Sequence, residues 1–447
     1  MKATIGFLAT MVLCGTLVAK EYRWEVKTDR VDAIYQQGET ITFSALLLEN
    51  GKPAAGKKVA WEMIGDGNLR KADSYVSGET PHTGTASLAF PGWVQVKFTL
   101  VEDDGKPEMK AGNEPRQGAV AGAIGAMVAP LEIKAAGEEP GDFDAFWRAR
   151  RAEVDAVPLK ATLAAVEVAA PYAGKVACFD IKIDCAGGMP VSGYLAKPVG
   201  AAPKSLPAIV FYHGAGVRSA DQPCTSAVDG AIALDVNAHG IDNGQPAEFY
   251  QDLKQNALKN YQHRHKDDRD QFYFKGMYMR VMRSLDYVKS LPEWDGKHLI
   301  VAGGSQGGAQ ALVAAALDSH VTFCLAGVPA LCDHAGVLAR PPRQSGWPRL
   351  YEAAADGTPS NAMVCKTAAY YDTAYFARRI TGETYLSVGF IDDVCVPTSV
   401  YAAYNNLPAT IIKGMSAAPE KGHNTRNTLG YKRMNEYLQK IRAAAKK

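Results

Sequence analysis

The stretch that decides the fold is LIVAGGSQGGAQALVAAAL, residues 299–317. Its first four residues are apolar, as in a buried strand, and its last nine residues have the alanine-rich, apolar character of a helix. Between them lies GGSQGG, with Ser305 in third place. The order of strand, G-x-S-x-G and helix predicts a nucleophile elbow, a sharp turn that exposes a serine at the strand end.

The residue types around Ser305 fit the demands of such a turn. The residues two before and two after the serine, Gly303 and Gly307, pass close to neighbouring backbone, where a Cβ atom does not fit easily. The helix starts directly after the serine, so its positive end faces the hydroxyl, and the N–H of Gln306 is placed to stabilise an oxyanion. The alternative is a glycine-rich turn with an incidental serine, and the partner residues described below favour the nucleophile.

Length and composition set broad limits. The chain has 447 residues, enough for two or three domains, and its 47% hydrophobic and 21% charged residues are ordinary for a globular protein. The formal net charge is +2, and no basic stripe indicates nucleic acid. Beyond the N-terminus no run reaches the roughly 18 apolar residues of a membrane span.

Residues 1–19 read as a secretion signal peptide. Lys2 supplies a positive start, Ile5 to Val18 form an apolar core, and Ala19 offers a small residue before a cleavage point. We therefore expect a secreted or periplasmic bacterial protein. Cys14 raises the alternative of a lipid anchor, but the bulky Leu13 before it does not suit such a signal.

Cleavage after residue 19 would leave seven scattered cysteines. Their odd number does not describe a disulfide framework, and no C-x-x-C or zinc-spaced cluster occurs. We expect most of them to be buried free thiols, with one isolated bridge left open. The sequence predicts no metal and no cofactor. The cysteines are Cys178, Cys185, Cys224, Cys324, Cys332, Cys365 and Cys395.

Residues 20–135 read as a separate β domain. Apolar runs such as Thr40–Leu48 are bounded by turn signals, and Gly92–Leu100 alternates apolar with polar residues. Short strands at this spacing predict a small immunoglobulin-like sandwich. The domain contains no catalytic constellation, so we expect a structural or weak binding role. Every candidate catalytic residue lies after Pro140, which predicts that the sandwich is dispensable for chemistry.

Residues 136–447 alternate apolar runs with helical patterns. Pro207–Tyr212, Ala231–Val236 and Thr384–Gly389 read as buried strands, and Phe272–Ser290 carries one apolar helical stripe. Continuous apolar runs separated by helices predict an α/β fold with a doubly wound, mostly parallel sheet. Ligands of such sheets bind at the carboxyl ends of the strands.

Three reactive residues follow strand ends in the order serine, aspartate, histidine. They are Ser305, Asp392 after Gly389-Phe390-Ile391, and His423 before the final helix. This is the chain order of α/β-hydrolases. A serine is a weak nucleophile until a base takes its proton, and the base needs a third group to hold its tautomer. Of the nine histidines, His423 alone follows Asp392.

Other histidines compete for roles. His213 follows a strand and begins the segment HGAG, where the logic of the fold assigns it and Gly214 to an oxyanion loop with the N–H of Ala215 as second donor. His263 and His265 lie in a polar segment that reads as a solvated loop. Metal ligation by this pair is the alternative.

At this point the motifs resemble those of the acetyl xylan esterase and cephalosporin-C deacetylase family of carbohydrate esterases, over roughly residues 140–447. The matching stretches are His213-Gly214, Gly276 to Arg280, Gly303 to Gly308, Tyr371 to Ala377, Gly389 to Asp392, Cys395-Val396-Pro397, Ala402 to Asn405 and Gly422-His423.

The resemblance implies an α/β-hydrolase that removes O-acetyl groups from xylan or xylo-oligosaccharides through an acyl-enzyme intermediate. It assigns Ser305 as nucleophile, His423 as base and Asp392 as the partner of the base. The oxyanion N–H groups would come from Gln306 and Ala215.

Three departures from the family pattern affect the pocket. Asn237-Ala238-His239 stands where Arg-Gly-Gln is usual, Ala215 replaces an aromatic residue, and Asn424 replaces an acid. We therefore take His213, Gly214 and His239 as candidate pocket residues. The added sandwich also leaves open whether the protein forms the family's ring-like hexamer or another homo-oligomer.

Two other functions remain open on the sequence. A prolyl-oligopeptidase-like serine peptidase shares the elbow, but a sandwich of roughly 115 residues is too short for the propeller such enzymes carry. A non-catalytic carbohydrate-binding protein would have no need for Ser305, Asp392 and His423 together. The sequence does not identify the sugar, the acetylated position or the acyl chain.

Overall fold

A computed structural model of the protein describes residues 21–109 and 118–445. The predicted signal peptide, residues 1–19, lies outside the described residues. Within them, an all-β unit precedes a larger α/β unit.

Strands β1 to β9 form the first unit, called here the N-terminal β unit. They are β1 (Tyr22–Thr28), β2 (Ile34–Tyr35), β3 (Ile41–Glu49), β4 (Lys52–Pro53), β5 (Lys58–Gly65), β6 (Leu69–Val76), β7 (His82–Ala86), β8 (Gly92–Leu100) and β9 (Ala121–Val128). One sheet has the order β1-β3-β4 with β7 also paired to β3, and the other has the order β2-β9-β8-β5-β6. Apart from the short parallel pair β2–β9, neighbouring strands are antiparallel.

Aromatic side chains join the two sheets of this unit. Trp24 of β1 stacks on Phe98 of β8 with ring centroids 5.9 Å apart, and His82 of β7 stacks on Tyr75 of β6 at 3.8 Å. Each pair links one sheet to the other, and apolar residues on alternate positions of β3 are buried between them. The all-β character agrees with the sequence prediction, whereas the immunoglobulin-like topology stays a prediction.

The second unit is built on a mixed sheet of nine strands. The strands are β10 (Ala161–Val166), β11 (Val176–Ile183), β12 (Val191–Pro198), β13 (Leu206–Tyr212), β14 (Ile232–Asn237), β15 (Trp294–Gly304), β16 (Val321–Gly327), β17 (Glu383–Gly389) and β18 (Lys413–Ala418). Their order is β10-β11-β12-β14-β13-β15-β16-β17-β18. From β14 to β18 the pairs are parallel, and from β10 to β14 they are antiparallel. The prediction of a mostly parallel sheet is confirmed.

Helices cover both faces of this sheet. They are α1 (Phe143–Asp155), α2 (Cys224–Val228), α3 (Ala247–Gln255), α4 (Tyr273–Ser290), α5 (Gln306–Leu317), α6 (Ala362–Ala369), α7 (Thr373–Ala377), α8 (Pro397–Asn406) and α9 (Thr428–Ala445). Alternate residues of β13 illustrate the two faces: Val210 belongs to the main core with α4 and α5, and Ile209 packs with Met434 and Leu438 of α9. The fold is therefore that of an α/β-hydrolase.

The two units share one continuous apolar core. Backbone hydrogen bonds also cross between them, for example from the N–H of Gly67 to the carbonyl of Pro342 at 2.7 Å. The Asn405 amide donates to the carbonyls of Pro130 and Ile133, which tethers α8 to the segment after β9. The N-terminal β unit is thus packed onto the hydrolase rather than attached by its linker alone.

Candidate active site

Ser305 occupies the turn between β15 and α5. Its backbone has φ 57° and ψ −123°, a conformation that costs free energy for any residue with a side chain. A Cβ atom at Gly303 would overlap the carbonyl of Gly307, and one at Gly307 would overlap the carbonyl of Tyr212. The strand–turn–helix geometry and the requirement for both glycines agree with the sequence prediction.

The structure brings the three candidate catalytic residues together at the carboxyl ends of the strands. His423 Nε2 lies 2.9 Å from the Ser305 Oγ, and His423 Nδ1 lies 2.9 Å from the Asp392 Oδ2. Asp392 lies in the acid loop, residues 390–395 after β17, and His423 lies in the histidine loop, residues 419–427 after β18. In this arrangement Nε2 can take the hydroxyl proton while the carboxylate holds the ring in the required tautomer.

The two neighbouring aspartates of the acid loop have different surroundings. Asp392 is fully buried, and its Oδ1 accepts the N–H groups of Val394 at 2.8 Å and Cys395 at 2.9 Å. With the His423 ring on Oδ2, three donors satisfy this carboxylate. Asp393 is exposed, and its backbone carbonyl accepts a hydrogen bond from Arg349. The geometry therefore favours Asp392 over Asp393 as the partner of His423, as the sequence did.

A third loop, residues 213–216 after β13, runs beside Ser305 and is called here the oxyanion loop. A Cβ atom at Gly214 would lie 3.4 Å from the Gly304 carbonyl and 3.7 Å from the Ser305 Cβ, so this loop runs beside the elbow. Within the described residues, the N–H groups of Ala215 and Gln306 donate to no other protein group. Free donors beside the serine suit an oxyanion.

The His213 ring holds the oxyanion loop by hydrogen bonds to backbone groups. Its Nε2 accepts the N–H of Ala238 at 3.0 Å, so the proton lies on Nδ1, which donates to the carbonyl of Gly214 at 2.7 Å. Burial lowers the pKa of His213 to about 4, which keeps the ring neutral. Since both ring nitrogens are occupied, His213 can fix the loop but has no nitrogen left for proton transfer.

His239, which lies just past the end of β14, contacts the same loop. Its Nε2 donates to the carbonyl of Gly216 at 3.2 Å, and its Nδ1 accepts the hydroxyl of Tyr273 at 2.7 Å. Burial lowers the pKa of His239 to about 3. The ring therefore acts as a neutral connection between the oxyanion loop and α4.

Sequence reasoning missed Tyr261. Its hydroxyl donates to the Gln306 Oε1 at 2.6 Å, and its ring packs edge-on against His239 with centroids 4.6 Å apart. It thereby connects Gln306, the residue after Ser305, to His239, which contacts the oxyanion loop. No local pattern marks this tyrosine, because it lies in a polar segment and reaches the site only through the fold.

A cavity of about 460 Å³ opens at Ser305 and His423. The oxyanion-loop residue Gly214 and the exposed residue Asn424 line it, as do Arg218 and the partly buried Asp235. Burial raises the pKa of Asp235 to about 7. The volume lies within the range of pockets for small organic ligands.

Residues 21–109 and 118–445 also show the state of the cysteines and of possible metal ligands. No group of three or more His, Cys, Asp and Glu side chains there could hold a metal ion. All seven cysteines in this range are free thiols, and five of them are buried, as expected. In the same part of the chain, no helix is both long and apolar enough to cross a membrane.

The sequence profile of the acetyl xylan esterase family matches residues 131–441, which is more than half of the chain. Acetyl esterase Axe7A of Xylanibacter ruminicola is 31% identical over 443 residues, an alignment that covers 96% of this chain and 93% of the relative. That alignment spans nearly the whole chain and so takes in the N-terminal β unit.

Solved structures show the same hydrolase fold. The acetyl xylan esterase from Paenibacillus sp. R4 is 27% identical with a TM-score of 0.58, over 69% of this chain and 98% of that chain. Acetyl xylan esterase 1 from Thermoanaerobacterium sp. JW/SL YS485 is 24% identical with a TM-score of 0.57, over 69% and 97%. The chain described here therefore belongs to the acetyl xylan esterase family, as a serine-type carboxylic ester hydrolase of the α/β-hydrolase fold.

Proposed function

We propose that this protein removes O-acetyl groups from xylan or xylo-oligosaccharides, with Ser305 as nucleophile, His423 as general base and Asp392 as its orienting partner. The observation that carries the proposal is the continuous hydrogen-bonded chain from the Ser305 Oγ through the His423 ring to the buried Asp392 carboxylate. The free N–H groups of Gln306 and Ala215 beside it support the same reaction.

In the acylation half of the reaction, His423 Nε2 accepts the hydroxyl proton as the Ser305 Oγ bonds to the acetyl carbonyl carbon. The carbonyl oxygen becomes an oxyanion, which accepts hydrogen bonds from the two N–H groups. The Asp392 carboxylate stabilises the imidazolium that forms. When the intermediate collapses, the C–O bond to the sugar breaks, Nε2 protonates the departing sugar hydroxyl, and the acetyl group remains on Ser305.

In the deacylation half, a water molecule takes the place of the sugar. His423 Nε2 accepts one of its protons while the oxygen attacks the acetyl carbonyl, and the same N–H groups hold the second oxyanion. Breaking the bond to the Ser305 Oγ returns the proton to the serine and releases acetate. The reaction needs no group beyond these side chains, the backbone donors and water.

The substrate class is supported by the family and by the names of two solved relatives, which are acetyl xylan esterases. An open cavity at the serine suits a small acyl group with a bulky alcohol that extends into solvent. The peptidase and binding-protein alternatives have no observation in their favour.

One assay distinguishes these functions. The purified protein is given an aryl acetate, acetylated xylo-oligosaccharides and an aminoacyl-prolyl anilide. We expect acetate release from the first two and no anilide cleavage. Anilide cleavage would support the peptidase instead, and binding of the oligosaccharide without turnover would support a carbohydrate-binding protein.

The domain boundaries and the site of action complete this proposal. Residues 1–19 would be a signal peptide for secretion or periplasmic export, 20–135 an immunoglobulin-like sandwich and 136–447 the esterase domain. N-terminal sequencing of the protein exported by a bacterial host should begin at Lys20. An intact Met1 on the exported protein would contradict the cleavage.

A further inference from the structure

The N-terminal β unit contacts both loops that carry the acid and the histidine. The indole N–H of Trp93, on β8, donates to the carbonyl of Phe390 at 2.6 Å. The backbone N–H of Gly125, on β9, donates to the carbonyl of Pro419 at 2.9 Å. Phe390 opens the acid loop, two residues before Asp392, and Pro419 opens the histidine loop. One neighbouring pair of strands therefore reaches each of the two loops.

The contact with the acid loop is buried. Trp93 and Phe390 are both fully inaccessible to solvent. A backbone carbonyl in such a place needs a donor, because a buried acceptor without a hydrogen bond destabilises the folded protein. The Trp93 indole therefore determines where the Phe390 carbonyl can lie, and through the short connection to Asp392 it limits how far the carboxylate can move.

Gly125 lets the strand approach this loop. A Cβ atom at this position would lie 2.6 Å from the Phe390 carbonyl carbon and 2.7 Å from the Phe390 Cβ, closer than real side chains come. Any other residue would push β9 away from the acid loop. The same displacement would lengthen the hydrogen bond from Gly125 to Pro419.

The two loops also depend on each other. The N–H of Ile391 donates to the carbonyl of Lys421 at 3.1 Å, and the N–H of Phe390 donates to that of Ala418 at 2.9 Å. Strands β8 and β9 are paired over eight residues, so the two anchor points cannot move independently. The distance between the Asp392 carboxylate and the His423 ring is thus set from outside the hydrolase as well as from inside it.

We propose that Trp93 and Gly125 are positioning residues for the reaction: the N-terminal β unit holds the acid and histidine loops at the spacing that the Asp392–His423 hydrogen bond requires. This inference rests on the proposed roles of Asp392 and His423. It reverses the expectation that the first domain is dispensable for chemistry, which considered only where the reactive residues lie along the chain.

The decisive variant is Trp93→Phe in the full chain, which keeps an aromatic ring and removes the indole N–H. Displacing a catalytic group by about 1 Å costs up to about 10²-fold in rate. We expect the kcat for an aryl acetate to fall roughly tenfold or more while KM changes less than about twofold, since Phe390 does not line the cavity at Ser305. Rates are counted per active site, titrated with a fluorophosphonate that labels Ser305.

Trp147→Phe is the matched control. Trp147 is also buried, and its indole N–H also donates to a backbone carbonyl, that of Tyr370 at 3.0 Å. Neither residue belongs to the acid or histidine loop. We expect a comparable loss of thermal stability and a kcat per titrated site that stays within about twofold of wild type.

A double-mutant cycle tests whether Trp93 acts through the acid. In an Asp392→Asn background the carboxylate is already absent, so adding Trp93→Phe should lower kcat by less than about twofold. A second, independent tenfold loss would overturn the inference. So would a folded Trp93→Phe protein with wild-type kcat, or an equal loss in Trp147→Phe.

Gly125→Ala supplies the second test and decides the question if Trp93→Phe fails to fold. It leaves the tryptophan in place and should also lower kcat at least tenfold with little change in KM. Wild-type kcat in folded Gly125→Ala would contradict the inference. Inactivity of the wild-type enzyme on acetylated xylo-oligosaccharides would instead contradict the proposed function, and the aryl acetate comparison would still test the positioning.

Discussion

The two sides of Ser305 use histidine in opposite ways. On one side, the His423 ring has a side-chain oxygen at each nitrogen, the hydroxyl of Ser305 and the carboxylate of Asp392, and its side chain is 31% exposed. On the other side, His213 is buried with a backbone group at each nitrogen. The first ring faces a group whose proton it can take, whereas the second is fully used in holding the backbone.

This difference shows that the partners of the ring nitrogens, and not the residue type, separate a proton carrier from a structural brace. A base must release and accept a proton during each turnover, which requires a partner that changes its own protonation. A carbonyl and an amide N–H do not change, so a histidine between them stays neutral. The predictions below test this contrast between the two sides, beginning with the residue that they share.

Ser305→Ala should have the largest effect. The variant lacks the proposed nucleophile, and we expect turnover of an aryl acetate to fall by roughly 10⁴ or more. The fold should persist, because the hydroxyl lies at the open cavity and its loss creates no core void. Steady-state kinetics and a thermal melt measure the two outcomes, and a variant that kept a tenth of the wild-type rate would refute the assignment.

Asp392→Asn tests the proton-transfer side. The amide keeps the shape but removes the charge that stabilises the imidazolium, and it can select the wrong tautomer. The same exchange in serine proteases costs on the order of 10⁴, or roughly 5 kcal/mol. We expect a loss of about 10²–10⁴ in turnover at saturating aryl acetate.

Asp393→Asn is the matched control for that variant. It changes an exposed neighbour and should alter the rate less than about tenfold, because an exposed charge outside the hydrogen-bonded chain acts only through screened electrostatics. If this second variant were the crippled one, the acid would have to be reassigned by one residue.

His213→Leu tests the oxyanion side. It keeps much of the volume but removes both ring nitrogens, so the N–H of Ala238 and the carbonyl of Gly214 lose their partner. Since removing an oxyanion donor outright costs about 10²–10³, loosening its loop should cost roughly 10–10² in kcat. His298→Leu, at a histidine paired with Asp295, serves as control. If kcat fell as much in His213→Leu as in Asp392→Asn, the two sides of Ser305 would not differ in the way proposed.

The pH dependence of stability should also report on the neutral His213 ring. The pKa of His213 is about 4 in the folded protein, below its ordinary value of 6.5, so the unfolded chain binds a proton there first as pH falls. The neutral His213 ring therefore contributes fully to the free energy of unfolding above about pH 6.5, and this contribution is lost progressively toward pH 4. Between pH 7 and pH 5 the free energy of unfolding of the wild type should fall by on the order of 2 kcal/mol more than that of His213→Leu.

Urea unfolding of both proteins at the two pH values measures this difference. Burial raises the pKa values of Asp66, Asp235 and Asp372 to about 7. Their protonation in the folded protein increases stability as pH falls, whereas His213 decreases it. Both proteins carry these carboxyls, so their effect cancels in the comparison. Equal losses in wild type and His213→Leu would show that His213 does not titrate as its surroundings require.

Much of the hydrolase unit could be predicted because its signals are local. Apolar runs and helical stripes indicated the parallel strands and their covering helices. The edge strand β10 was not predicted, because most of its residues are exposed and only pairing with β11 makes it a strand. Tyr261 was missed for a similar reason: its partner Gln306 is 45 residues away along the chain.

The sequence by itself determined the elbow at Ser305 and the order of the three reactive residues. Glycine is required two positions to either side of that serine by contacts within the turn and with the adjacent strand, and such short-range steric demands leave a readable pattern. Tertiary structure alone decided which nitrogen of His213 carries the proton and what the N-terminal β unit contacts. Trp93 meets the Phe390 carbonyl across 297 residues. A contact between residues so far apart in the chain depends on how the two units pack, and the local sequence around either residue does not indicate it.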